Sequence, residues 1–421
     1  MLLDSNIVNW NCKELSFRLL PTPPQTANSM TASPKLLELS SAERHSLGLV
    51  HTLREILQQP ETWRETHQKI LRSSTQLEEF LTRAGVGTKG STPLNVLLVG
   101  AGTSDYIGKS VCALLQKEWS CNVQAVPSTD LLTNMEDHIL PDVDYLWISF
   151  SRSGDSSEGV AVLESALATH PRIKHLVVTC NQNGKMARLG NRDNVLSLVL
   201  DDAVNDRGLA MTSSFSNMVI AAQALAHIRT LTAYDHVIES LAKSASMVLP
   251  SVASICERLV DEGFSRVCFL GSGPLKASAI ESGLKVMELT GGRVVALTES
   301  FLGLRHGPLS AIDCDTLVVG FLSASERRRA FETDLVQEIC NKNLTEKCLI
   351  VSPTALTGAN SFENKLSLEL PDAISDLYLP PLFVLIGQFL GLCASLRAGL
   401  RPDEPSPHGA ISRVVTHVTI H

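Results

Sequence analysis

Twice in this chain a run of branched apolar residues ends in a Gly-x-Gly turn and passes straight into a helical pattern. The first copy is Val96-Leu97-Leu98-Val99-Gly100-Ala101-Gly102-Thr103-Ser104, the second Arg266-Val267-Cys268-Phe269-Leu270-Gly271-Ser272-Gly273. A short apolar run bounded by glycines reads as a buried strand, and the period behind it, residues 106–115 in the first copy, as a helix packed on that strand. More short apolar runs follow each copy: 123–126, 146–150, 176–179 and 196–200 after the first, 294–297, 316–322, 347–351 and 366–370 after the second. Strands alternating with helices build a mostly parallel sheet covered on both faces. The expected fold class is therefore α/β, two tandem copies of a doubly wound, flavodoxin-like three-layer sandwich.

With 421 residues, 44% of them hydrophobic, the chain can bury two cores. We expect a domain of helices plus the first sheet over 37–235 and a second over 236–421. The helices of 36–84 carry Pro60 as an interruption. Residues 1–36, with Pro21-Thr22-Pro23-Pro24, lack periodicity and read as a disordered leader in which Met30 offers a second possible start. The stretch 377–396 is apolar enough to resemble a membrane span, but Pro380, Pro381 and Gln388 favour a buried interface helix. A net charge of -8 argues against nucleic acid as a partner, and Arg327-Arg328-Arg329 reads as a solvated helix face. Ten cysteines without a C-x-x-C pair or a secretory signal suit a reducing, cytoplasmic protein that uses no metal.

Candidate chemistry begins at Ser151-Arg152-Ser153-Gly154-Asp155-Ser156, where a buried strand ends in hydroxyls and a glycine just before a helix. Free helix N-terminal N–H groups, the positive end of the helix dipole and clustered hydroxyls are what a phosphate monoester needs. The Gly102-Thr103-Ser104 turn is of the same kind, so the two suggest one shared phosphate site. In the second copy Phe321-Leu322-Ser323-Ala324-Ser325-Glu326 puts a glutamate in place of the glycine, and only the first copy is expected to hold phosphate. Behind the second turn, Glu281, Lys285 and Glu288 share one face of an apolar helix, where buried charge points to function rather than to an exposed ion-pair stripe. His306 sits in the turn Gly303-Leu304-Arg305-His306-Gly307-Pro308, a candidate proton carrier near neutral pH. The set suits sugar phosphates: His306 to open the ring, Glu288 to move a proton between C1 and C2, the phosphate as a remote handle. No zinc, Walker or nucleophile-elbow motif competes, so no metal, nucleotide or other cofactor is expected.

Five motifs in order resemble the sugar isomerase (SIS) domain family in its tandem form: residues 100–104, 127–134, 149–154, 206–214 and 305–308. Within it, the chain is most similar to the AgaS-type galactosamine-6-phosphate deaminase/isomerases, also described as tagatose-6-phosphate ketose/aldose isomerases. By resemblance to the isomerase half of glucosamine-6-phosphate synthase, Thr103, Ser104, Ser151, Arg152, Ser153 and Ser156 take phosphate-binding positions. Glu288 takes the enolisation base, with Lys285 and Glu281 lining the same pocket, and Gly102, Arg207, Ser213 and Arg413 belong to the substrate pocket. His306 takes the ring-opening position, supplied there by a neighbouring subunit, which implies a homodimer or homotetramer with a shared site. The chain lacks the synthase's glutamine-hydrolysing domain, so release of ammonia is the natural direction. Its tail lacks the synthase's lysine, where Arg413 is a partial substitute, and it carries Thr416, His417 and His408 where AgaS-type chains commonly have glutamine, glycine and small residues. The implied activity is conversion of galactosamine-6-phosphate to tagatose-6-phosphate and ammonia. Glucosamine-6-phosphate deamination, plain aldose/ketose isomerisation and a non-catalytic sugar-phosphate sensor are the alternatives; the sensor would not need Glu288 and His306 together.

Overall fold

A computed structural model describes residues 35–87, 93–190, 192–355, 364–406, 408–415 and 418–421. Most of the expected leader, with Met30, and the tail positions Thr416 and His417 fall outside the described residues. The leader expectation is corrected at its end: Leu36 is buried, and its N–H donates to Glu257 at 2.6 Å.

Among the described residues, ten strands form two five-stranded sheets. The first holds β1 (Leu94–Gly100), β2 (Asn122–Pro127), β3 (Asp144–Ser151), β4 (Lys174–Thr179) and β5 (Val195–Val199) in the order β2-β1-β3-β4-β5. The second holds β6 (Arg266–Gly271), β7 (Val295–Glu299), β8 (Thr316–Phe321), β9 (Cys348–Ser352) and β10 (Asn364–Ser367) in the order β10-β9-β8-β6-β7. Every pairing is parallel, and both sheets have the same 2-1-3-4-5 winding. The two-copy, doubly wound expectation is thus met, with β10 starting two residues before its apolar run.

The long helices are α1 (Gln59–Arg72), α2 (Thr103–Trp119), α3 (Ser157–Thr169), α4 (Ser213–Ala226), α5 (Thr232–Glu262), α6 (Pro274–Leu289), α7 (Glu326–Asn341) and α8 (Pro380–Arg397). The interruption expected at Pro60 is met: a short helix, Thr52–Leu57, ends just before it, and Pro60 lies in the first turn of α1, where its missing N–H costs nothing. In β1 and β3, alternate residues face opposite layers, with Val96, Leu98, Leu146 and Ile148 in the large core and Leu97, Val99, Tyr145 and Trp147 in the smaller one. The helix α5 runs across the expected domain boundary.

The apolar stretch near the C-terminus is α8, buried over most of its length inside the protein. It packs on α6 at backbone distance. A Cβ on Gly387 would fall 2.2 Å from the Ser282 Cβ, and one on Gly391 2.8 Å from the Lys285 carbonyl oxygen. Two glycines one turn apart therefore let α8 hold α6 in place. Its one amide, Gln388, accepts from Gln59 at 2.7 Å and donates to the Thr212 carbonyl at 3.3 Å, which ties the N-terminal helices to this centre.

One buried group should make this fold acid-sensitive. His175 in β4 is fully buried beside Trp147, with which it is in register, and neither of its ring nitrogens has a partner among the described residues. Burial pushes its pKa down to about 4 from an ordinary 6.5. The unfolded chain then binds the extra proton first. This contribution to stability is complete above pH 6.5 and is lost as pH falls to about 4, for a total of about 3 kcal/mol. Denaturant melts of His175→Leu between pH 7 and 4 should show a shallower loss of stability than wild type; an unchanged slope would contradict the assignment.

Candidate active site

In open parallel sheets, ligands bind beyond the strand ends where the winding reverses. In the first sheet that point lies between β1 and β3, where both hydroxyl-rich turns sit. After β1, Gly102 adopts φ 54° and ψ -127° and starts α2 at Thr103. Gly100 has no room for a side chain, because a Cβ would lie 2.4 Å from the Ser104 backbone. After β3, Gly154 at φ 65° reverses the chain, its N–H donating to the Ser151 hydroxyl at 3.0 Å, while the Asp155 N–H donates to the Ser153 hydroxyl at 3.2 Å. The Asp155 carboxylate accepts from the Lys185 N–H at 2.8 Å, which satisfies that negative charge within the loop.

Between the turns lies a cavity of about 150 Å³, lined by Ser104, Ser151, Ser153 and Ser156 and also by Ser128 and Ser149. The last two were missed as site residues, although Ser128 and Ser149 both stood inside recognisable motifs. The volume is small beside ordinary ligand pockets and suits the phosphate end of a substrate. Arg413 lines it from the tail, its Nε donating to the Asp206 carbonyl at 2.8 Å and its Nη2 to Asn205 Oδ1 at 2.8 Å. The tail is also held by the Ser157 N–H, which donates to the Val415 carbonyl at 3.2 Å.

Several expected site residues also make structural contacts in this arrangement, and Arg152 lines the cavity as well. Arg152 is buried, and its guanidinium donates to the main-chain carbonyls of Leu209 and Arg413, so it joins the loop, the tail and the cavity wall. Burial and then the nearby Arg413 charge lower its pKa. The exposed Arg207 pairs with Asp202 at 2.8 Å. Ser213 donates to Asp206 at 2.6 Å; this buried aspartate also caps the start of α4 through Thr212 and Ser214. Glu55, invisible as a site residue in the sequence, supports the same loop by accepting from the Arg207 N–H at 2.6 Å and the Gly208 N–H at 3.3 Å. Its carboxyl is pushed up to about 7 by burial and by the Asp206 charge.

The charged face of α6 meets the first turn of α2. Lys285 Nζ lies 2.5 Å from Glu288, 3.3 Å from Glu281 and 3.0 Å from the Thr103 hydroxyl, which in turn donates to Glu281 at 3.2 Å. Thr103 therefore serves this network, while its neighbour Ser104 lines the phosphate-sized cavity. Lys285 and Glu281 are fully buried; the Glu288 side chain is 24% exposed. Burial raises Glu281 to about 8 against the pull of Lys285. For Lys285, burial opposes the charged form, but Glu281 and Glu288 outweigh it and hold its pKa above the ordinary value. Glu288 opens onto a second cavity of about 440 Å³, lined also by Met287, Arg293, Leu400, His408 and Ile411.

His306 is not brought to its own chain's network. It lies exposed in the turn after the short helix Phe301–Leu304, lines neither cavity, and its ring has no partner among the described residues. The cysteines among the described residues form no disulfide. Burial pushes the Cys121 thiol up to about 11 and those of Cys268 and Cys348 to about 12.

The SIS domain description matches residues 93–228, the first sheet and its helices. Together with the duplicated winding and the paired hydroxyl turns, this defines a tandem SIS-domain protein. The AgaS protein of Streptomyces coelicolor is 40% identical over 378 residues, 88% of this chain and 95% of that protein. The D-galactosamine-6-phosphate deaminase AgaS of Escherichia coli O157:H7 is 34% identical over the same share of both. Among solved structures, the tagatose-6-phosphate ketose/aldose isomerase from Escherichia coli superposes with a TM-score of 0.79 at 32% identity, covering 88% of this chain and 96% of that one. The chain belongs to the AgaS family of SIS-domain enzymes.

Proposed function

We propose that the chain is an amino-sugar phosphate deaminase/isomerase acting on galactosamine-6-phosphate. The observation that carries this reading is the junction at Thr103 and Ser104: consecutive residues connect a serine-lined, phosphate-sized cavity to a buried Glu–Lys–Glu network. The phosphate would rest among Ser104, Ser151, Ser153 and Ser156, with helix N-terminal N–H groups favouring its charge. The sugar would extend toward Glu288. Ring opening gives the free aldehyde, and His306 of a partner subunit is the group assigned to it. Glu288 then takes the C2 proton and returns it at C1, which leaves an imine at C2. Addition of water there releases ammonia and leaves tagatose-6-phosphate. The same network would serve plain aldose/ketose isomerisation, the reading favoured by the likeness to the Escherichia coli isomerase structure.

Exposure of His306 supports the shared site, as do the exposed Leu302 (44%) and Phe331 (49%) on the adjoining helices. We place the enzyme in the cytoplasm as a homodimer or homotetramer, working without cofactor or metal and with neither nucleic acid nor membrane as partner. Ammonia release should be followed with galactosamine-6-phosphate and glucosamine-6-phosphate in parallel. Release from the galacto sugar alone is expected. Interconversion of tagatose-6-phosphate with its aldose, without ammonia from either amino sugar, would replace the deaminase by the isomerase.

A further inference from the structure

The second winding reversal, between β6 and β8, has the same backbone as the first. Gly273 adopts φ 56° and ψ -129°, within a few degrees of Gly102. Around it, however, donors are filled from within the chain. The Ser323 N–H donates to Glu332 Oε2 at 2.7 Å and the Ser323 hydroxyl to Glu332 Oε1 at 2.7 Å. The next N–H, that of Ala324, donates to Asp376 Oδ1 at 2.6 Å. Both carboxylates are buried. Arg328 closes the site, 3.1 Å from Asp376 and 3.1 Å from where a Cβ on Gly273 would stand, whereas a Cβ on Gly102 would meet nothing within 4 Å. Arg329 holds the Ser323 and Ala324 carbonyls at 3.0 and 3.2 Å. The arginine run is thus more than a solvated face, and the carboxylate in the site is Glu332 rather than Glu326.

The Ser323 N–H and hydroxyl converging on one carboxylate, with the next N–H on a second, are donors of the kind that bind a phosphate. Burying a carboxylate is costly unless the surrounding donors require an acceptor. We propose that the second winding reversal is an oxyanion site which the chain satisfies with its own Glu332, and that phosphate takes the place of this carboxylate once it is removed. The ligand class is inorganic phosphate or a phosphate monoester. In the native chain the internal anion keeps the second copy closed to substrate and fixes the start of α6, which follows Ser272 and Gly273 and carries Lys285 and Glu288. The inference is independent of which sugar the first site takes.

Equilibrium dialysis with labelled inorganic phosphate tests it without any turnover assay. Wild type should bind one phosphate per chain and Glu332→Ala two, and Glu332→Ala in a Ser104→Ala/Ser151→Ala background should retain the second. Hydrogen exchange along residues 274–289 should quicken in Glu332→Ala and slow again with phosphate. If Glu332→Ala is unfolded in plain buffer, phosphate should restore it. Glu332→Gln, which fills the same space without charge, should melt below wild type. A folded Glu332→Ala that gains no phosphate, an unfolded one that phosphate does not restore, or a Glu332→Gln as stable as wild type would overturn the proposal.

Discussion

Glu288→Gln is expected to lower turnover of the amino-sugar phosphate by ~100- to 10,000-fold, the usual worth of a positioned acid/base group, while leaving inorganic phosphate binding close to wild type. Two glutamates flank Lys285, and accessibility separates their roles. Glu281 is fully buried, paired with Lys285 and bonded by the Thr103 hydroxyl, so it is closed to a substrate carbon. Glu288 lies 2.5 Å from the same ammonium and opens onto the larger cavity, the access that the proposed base needs. Removing its charge leaves Lys285 with Glu281 and Thr103, so the fold should tolerate the change. Glu288 bonds to Lys285 and lines a different cavity from the serines, which is why binding and turnover should separate. Exchange of the substrate C2 proton with deuterated solvent reads the step directly. Wild-type exchange in Glu288→Gln would remove the carboxylate from the mechanism.

What the sequence made legible follows from how local each signal is. The strands and both Gly-x-Gly turns were readable because a buried parallel strand must be apolar throughout and the turn after it needs a positive φ, each recorded within a few adjacent residues. The shared face of Glu281, Lys285 and Glu288 was readable from helical spacing, and their burial from the apolar residues between them. Glu55 and Glu332 were not readable as supports of their loops. Glu55 meets Arg207 across 152 residues of chain, and Glu332, outside the motif, reaches back nine residues to Ser323. The partners of Thr103 and Arg152 were not readable, because hydroxyl and guanidinium groups in such a turn carry no local mark for the groups they choose. The partners here are Lys285 and Glu281 for one, and the carbonyls of Leu209 and Arg413 for the other. Distant pairing of this kind depends on how the two sheets meet along α2, α6 and α8.

Because His306 is exposed and separate from its own chain's Glu288, two inactive variants should repair each other. Glu288→Gln and His306→Ala are each expected to be nearly inactive alone. If His306 serves the site of a neighbouring copy, a mixed dimer contains one site in which both residues are native and one in which both are replaced. Random reassembly of equal amounts should then recover about a quarter of wild-type activity, since half of the dimers are mixed and each has one working site. Two differently tagged chains, co-expressed and purified through both tags, would isolate the mixed species and raise the expected recovery to about half. The pH profile of that species should match wild type, as its working site has every native group. Mixed dimers with no recovery would place both residues in sites made by one chain, or show that the exposed turn does not reach a neighbour. A fully active His306→Ala homomer would take the histidine out of ring opening and leave the exposed surface of Leu302 and Phe331 without its catalytic reason.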